Sequence, residues 1–220
     1  MKKLGILALV GLITIGCAGG IDVTVTGTFD SVPVEAGCKA YDIAVKGLTG
    51  GHSGMDIHLG RGNANKLLAR ALHHAADKLS VRVAHFDGGM LRNAIPREAE
   101  ARVLVREGEA REFKKLVDRF LQRVLREELT GADEGLEWRV GAAKVEKAWS
   151  VGETHRLLCL LTAIPHGVLG MSRDIEGLVE TSSNLGVVKT TGNRVDITCC
   201  SRSSVMSWLD YVVGQHKALA

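Results

Sequence analysis

The sequence predicts an α+β fold, a two-layer sandwich in which an antiparallel sheet carries helices on one face. Several segments alternate apolar and polar residues, as half-buried antiparallel strands do. Others repeat apolar residues at helical spacing, and the two kinds are mixed without strict βαβ alternation. From residue 38 to 143 the order is strand-helix-strand-strand-helix-strand. That is a split βαβ, ferredoxin-like core, with extra elements on either side.

Residues 21–30 open the pattern, with Val23, Val25 and Phe29 among small polar groups. Residues 38–48 alternate again through Tyr41, Ile43, Val45 and Leu48. A glycine-rich loop runs from Gly47 to Gly62. Gly62 or Asn63 then opens a helix to Lys78, striped by Leu67, Leu68, Ala71, Leu72 and Ala75. Val81 to Phe86 is a short strand, and Asp87-Gly88-Gly89 a turn. Glu98 to Arg106 alternates through Ala99, Ala101, Val103 and Val105. The clearest helix spans Glu109 to Leu129, with Phe113, Leu116, Val117, Phe120, Leu121, Val124 and Leu125 on one side and Thr130-Gly131 ending it. Leu136 to Ala143 reads as a strand, and Val151 to Ala163 as a helix before Pro165. Leu178 to Lys189 and Arg194 to Arg202 form a hairpin around Thr191-Gly192-Asn193. Ser203 or Ser204 is the expected cap of a last helix.

Composition narrows the function. The chain has 220 residues, 45% hydrophobic and 24% charged, which is ordinary for a globular protein. A formal charge of +3, with acids and bases interspersed, gives no reason to expect nucleic acid or an anionic membrane. Aromatics at 4% leave little for base stacking. Cys17, Cys38, Cys159, Cys199 and Cys200 form no CxxC pair and read as reduced thiols, not a structural zinc set.

The glycine-rich loop holds neither GxGxxG nor GxxxxGK[ST], so it is not a phosphate cradle. Its Gly50-Gly51-His52-Ser53-Gly54 segment presents one imidazole and one hydroxyl between flexible residues. By itself this is either a turn or a site. His58, His73 and His74 read as solvated histidines, since His73 and His74 are helix neighbours pointing apart. His85-Phe86-Asp87 and Glu127-Glu128 resemble metal-ligand pairs but have no matching set nearby. Asn93 lies between Arg92 and Pro96-Arg97, and Arg202 follows Cys199-Cys200. An amide and a guanidinium suit a peptide oxygen or carboxylate. No GxSxG elbow occurs.

Separated stretches together resemble the aminoacyl-histidine dipeptidases, or cytosolic non-specific dipeptidases, of the di-zinc peptidase class. They are Ile15 to Asp22, Lys46 to Gly54, Gly62 to Leu68, Leu91 to Ala99, Pro165 to Gly186 and Arg202-Ser203-Ser204. Pro165-His166-Gly167-Val168 and the run from Gly177 to Gly186 (GLVETSSNLG) are the most specific. The resemblance implies that residues 15–220 are the lid and dimerisation domain, with the zinc-binding catalytic domain absent. It implies a homodimer through the lid, or pairing with a catalytic domain or chain, and a dipeptide substrate only in the assembled enzyme.

In the full family enzyme two zinc ions are expected. Their ligands would be a His-x-Asp, a bridging Asp, a Glu-Glu pair, a further Asp and a late His, and none falls in the matched stretches. The expectation is therefore no catalytic residue and no bound metal in this chain alone. By resemblance His52 reaches across the dimer to the substrate, while Asn93 and Arg202 help hold its carbonyl or carboxylate. Thr181, Ser182 and Asn184 lie in a matching motif without an assigned role.

The first fourteen residues do not match. Met1-Lys2-Lys3, the apolar run Leu4 to Ile15 and Cys17 have the layout of a lipoprotein signal. The run is short for a span of about 20 residues. The resemblance makes Cys17 an ordinary strand-end residue, so a cytoplasmic chain from a gene fragment or shifted start is expected. The alternatives are an exported lipoprotein-like binding module anchored through Cys17, and a subunit completed by a separate catalytic chain.

Overall fold

The computed structural model describes residues 5–7, of these the backbone alone, together with 19–129 and 131–220. Most of the apolar N-terminal run, Cys17 and the helix-ending Thr130 lie outside the described residues.

Strands β1 (Gly5–Leu7) and β2 (Gly19–Thr28) lead to a short β3 (Ser31–Pro33) and then β4 (Cys38–Lys46). After the two-residue β5 (Gly51–His52) comes helix α1 (Ala64–Ala76), capped by Asn63, whose side chain accepts from the Lys66 N–H. Strands β6 (Arg82–Gly88), β7 (Ala94–Ile95) and β8 (Ala99–Arg106) precede helix α2 (Ala110–Glu127). Strands β9 (Glu137–Ala143) and β10 (Lys147–Trp149) precede α3 (Val151–Ala163). The chain closes with β11 (Gly167–Met171), β12 (Val179–Thr191), β13 (Arg194–Ser203) and α4 (Met206–Leu219).

The main sheet runs β1-β2-β13-β12-β6-β8-β4-β9, with β11 also on β12, and its neighbours are antiparallel. Within residues 38–143 the order β6-β8-β4-β9 is the ferredoxin-like arrangement expected from the element order. Alternation decides the faces. Tyr41, Ile43 and Val45 of β4 are buried with Leu68 and Leu72 of α1, Phe113 and Val117 of α2 and Leu157 and Leu161 of α3 in one cluster. Each fully buried leucine of this kind contributes about 1.5–3 kcal/mol. On the other face Asp42 and Arg102, register partners in β4 and β8, form a two-pronged ion pair at 2.6 and 3.0 Å.

Two local expectations are corrected. Asp87-Gly88 continues β6 instead of turning, because Asp87 Oδ1 accepts from the Thr190 N–H at 2.7 Å and fastens the strand to β12. Neither Ser203 nor Ser204 caps α4. The N-cap is Val205, without a side-chain bond, because Ser203 ends β13 with its hydroxyl buried 2.9 Å from Thr181 Oγ1. The ladder β3–β10 was not foreseen. It is tied to β6 by buried Arg82, which donates to the carbonyls of Val32, Ala148 and Trp149 at 3.0–3.1 Å.

Candidate functional site

The loop of residues 47–62 leaves β4 and returns to α1, and both of its ends are held by one residue. Asp133, fully buried, accepts from Thr49 N–H at 2.8 Å and from Gly62 N–H at 2.7 Å. The loop's crest is fixed from inside. Asp56 Oδ2 accepts from the His52 N–H at 2.8 Å and stands 3.6 Å from Arg61, which donates to Gly50 O at 2.6 Å. Gly51 sits at φ 149°, where a Cβ would come within 2.8 Å of both Arg61 and Asp56. Only glycine fits there.

This frame orients His52. Its Nδ1 accepts from the backbone N–H of Gly54 at 3.2 Å and of Met55 at 3.1 Å. That nitrogen must hold a lone pair, so the neutral ring carries its proton on Nε2. Nε2–H has no protein partner among the described residues, which leaves a half-buried donor aimed away from its own loop.

Asn93 comes alongside through backbone pairing. His52 of β5 faces Ala94 of β7, and the Ser53 N–H donates to Asn93 O at 2.9 Å. The Asn93 side chain is exposed. Behind this segment Asn184 of β12 donates to the carbonyls of Arg92 at 3.0 Å and Ala94 at 2.8 Å. Gly186, at the bulge in β12, lets Arg92 approach: a Cβ there would be 2.6 Å from Arg92 O. Arg92 also pairs with Asp22 of β2.

Arg202, near the end of β13, completes the group. Gly54 lies between it and His52, since a Cβ at Gly54 would be 3.3 Å from both His52 Cε1 and Arg202 Nε. Arg202 Nε is buried without a hydrogen-bond partner among the described residues. Beside it, burial pushes the Cys200 thiol up, while Arg202 pulls it down. His52, Asn93 and Arg202, distant in sequence, thus share one corner of the fold. Together they offer an imidazole N–H, an amide and a guanidinium, which are donors suited to an oxyanion or carboxylate.

Residues 43–131 match the family model of the peptidase dimerisation domain. Over 210 residues the chain is 43% identical to the cytosol non-specific dipeptidase of Escherichia coli (strain K12), covering 95% of this chain and 43% of that protein. The crystal structure of aminoacylhistidine dipeptidase from Vibrio alginolyticus matches with a TM-score of 0.88 and 38% identity, over 93% of this chain and 42% of that one. Residues 43–131 are thus identified as a peptidase dimerisation domain. The chain spans less than half the length of these two dipeptidases.

The side chains of the two suspected ligand pairs are engaged with other partners. Asp87 is committed to Lys189, to the Thr190 N–H and to His85 at 3.4 Å. Glu128 forms a two-pronged pair with Arg70 at 2.7 and 2.8 Å, and Glu127 pairs with Arg123 at 3.6 Å. Thr181 and Ser183 pair with Ser203 and Ser201 as a buried hydroxyl ladder between β12 and β13. Sequence reasoning missed the anchor Asp133. It gave no role to His166, whose Nδ1 accepts from the Leu185 N–H at 3.4 Å and whose pKa burial and nearby Lys66 push down to about 4. The reading of His73 as a solvated histidine passed over Asp77, four residues later on the same helix face, and His155 and Cys159 with the same spacing on α3.

Proposed function

We propose that this dimerisation domain is the lid of a dipeptidase acting on Xaa-His and related dipeptides. His52, with Asn93 and Arg202 beside it, meets the substrate of a catalytic centre supplied by another subunit or chain. The observation that carries this reading is the hydrogen bonding of His52. With Nδ1 occupied by its own loop, Nε2–H is a preset donor for the oxyanion that forms as a peptide carbonyl is attacked. Arg202, whose Nε has no hydrogen-bond partner among the described residues, supports a role in attracting the substrate's carboxylate. In this reading the domain supplies position and charge stabilisation, and the hydrolytic zinc pair comes from the catalytic half.

The dimerisation partner is a second copy of the chain, while the catalytic centre comes from a separate catalytic half. The outer edge of β9 closes the sheet order and has no strand on it among the described residues, so it can extend the sheet across a two-fold axis. The cytosolic setting of the Escherichia coli relative favours a cytoplasmic protein.

Sedimentation of the purified chain is expected to give a dimer without turnover of an Xaa-His dipeptide. Adding a separately expressed catalytic half restores turnover. His52→Ala in this chain lowers kcat by about 10²–10³-fold, the cost of one oxyanion donor. Turnover by the chain alone, or full activity with His52→Ala, would overturn the reading.

A further inference from the structure

Helices α1 and α3 pack together with metal-ligating side chains at their contact. His73 and Asp77 are four residues apart at the end of α1, and His155 and Cys159 are four apart on α3. That spacing puts each pair on one helix face. His73 Nε2 lies 3.5 Å from Cys159 Sγ, and His155 Nδ1 lies 3.4 Å from the same sulfur. One ligand atom from each of these three residues falls within 4.8 Å of the others. Asp77 Oδ1 stands 3.7 Å from His73 Nε2 and 3.9 Å from His155 Nε2.

With Nε2 as its one ligand atom, His155 stands 3.8 Å from Cys159 Sγ and 3.9 Å from Asp77 Oδ1, separations close to those of ligands around one ion. Tetrahedral zinc has bonds of about 2.0–2.1 Å to nitrogen and about 2.3 Å to sulfur, which sets nitrogen–sulfur edges of about 3.5 Å. Hydrogen bonding can also hold two imidazoles on one thiol, which donates to one and weakly accepts from the other, so metal titration must separate that arrangement from an ion site. The cluster is not an activated thiol. Burial and the Asp77 carboxylate push Cys159 up, whereas a nucleophilic cysteine is lowered by a cation beside it.

We propose that His73, His155 and Cys159, with Asp77 as fourth ligand, bind one zinc-class divalent ion that clamps α1 to α3. Two imidazoles and a thiolate select borderline-soft metals over magnesium or calcium. Four protein ligands leave no open coordination position, so the site is structural. The side chains of His155 and Asp77 are 52% and 53% exposed, which gives an ion a path from solvent.

The test uses the full chain without a histidine tag, stripped with chelator and titrated with cobalt(II). The expected result is one ion per chain, with a thiolate-to-cobalt charge-transfer band and the visible bands of a four-coordinate ion, both erased by stoichiometric zinc. Cys159→Ser removes the charge-transfer band, and Cys38→Ser keeps it. His155→Gln weakens binding by at least the roughly 10–100-fold that even a second-shell loss costs. Circular dichroism checks that each variant is folded. Absence of the band in the parent chain, or its survival in Cys159→Ser, overturns the site. Should Cys159→Ser not fold, unchanged cobalt affinity in His155→Gln, altered at a half-exposed position, overturns it equally.

Discussion

Asp133→Ala isolates the anchor of the His52 loop. The wild-type carboxylate accepts from Thr49 and Gly62, which lie 84 and 71 residues away. The two bonds are not equivalent. Gly62 is buried, so water cannot replace the lost acceptor, and the stranded N–H costs about 2–3 kcal/mol. Thr49 is exposed, so solvent recovers most of its bond and the cost is about 0.5–1 kcal/mol. The sum is about 3 kcal/mol. For a chain of this size that lowers Tm by about 6–12 °C.

Urea unfolding of the purified chain measures the loss, and native-state hydrogen exchange locates it. Exchange at Gly62 and at Ser53, inside the loop, should accelerate more than exchange at Val103 in the core strand β8. Asp133→Asn separates the two bonds, because its amide oxygen can still accept from one N–H while its NH₂ faces the other. Its cost should fall between wild type and Asp133→Ala. A loss below about 1 kcal/mol for the alanine variant, or equal acceleration everywhere, would refute the anchoring role.

Three further outcomes are expected. Gly186→Ala drives a Cβ against the Arg92 backbone, which cannot swing aside, and should cost about 1–3 kcal/mol by thermal melting while loosening the Ser53 N–H. Asn184→Ala removes both donors to the Arg92 and Ala94 carbonyls and should cost about 1–3 kcal/mol in urea, with little change if the segment holds without them. Because His166 has a folded pKa of about 4 against an ordinary 6.5, the unfolded chain binds its proton first as pH falls. Stability should therefore drop between pH 6.5 and 4 by at most about 3 kcal/mol, and by less because the side chain is only half-buried. His166→Gln should flatten that part of the urea-midpoint profile.

What the sequence disclosed depended on periodicity. Alternation through Tyr41, Ile43 and Val45 of β4 and Ala99, Ala101, Val103 and Val105 of β8 marked these strands and fixed their inner faces, although Leu104 between the last two is buried as well. The stripe from Phe113 to Val124 did the same for α2. Ladders β5–β7 and β3–β10 hold only two or three residues a side, too few to show a period. At the site, the glycines around His52 were visible and suggested its exposure. The hydrogen bonds that set its tautomer were not, because they come from backbone N–H groups. Asp133 looked like any acidic loop residue, since both of its partners are backbone groups far away in sequence. The pairs His73/Asp77 and His155/Cys159 could have been found by spacing, but their convergence depends on how α1 packs on α3.

The position of the His52 loop follows from how the two halves of the sheet meet. Strands β6 and β12 share a single register pair, Val188 with Gly88, so few ladder bonds join the ferredoxin-like half to the β2-β13-β12 half. The loop and its neighbours bridge that seam. Asp133, next to β9, holds both loop ends from one side. From the other, Asn184 holds the 92–94 segment that pairs with the crest, and Asn63 at the head of α1 donates to Leu185 O at 2.9 Å. Arg202 arrives from the second half and His52 from the first, with Gly54 between them. The geometry of the donor group is thus set by the docking of the two halves and not by the loop alone. This explains why the GLVETSSNLG run, whose side chains are mostly buried, belongs with the site: its asparagine and final glycine set where residues 92–94, and through them His52, come to rest.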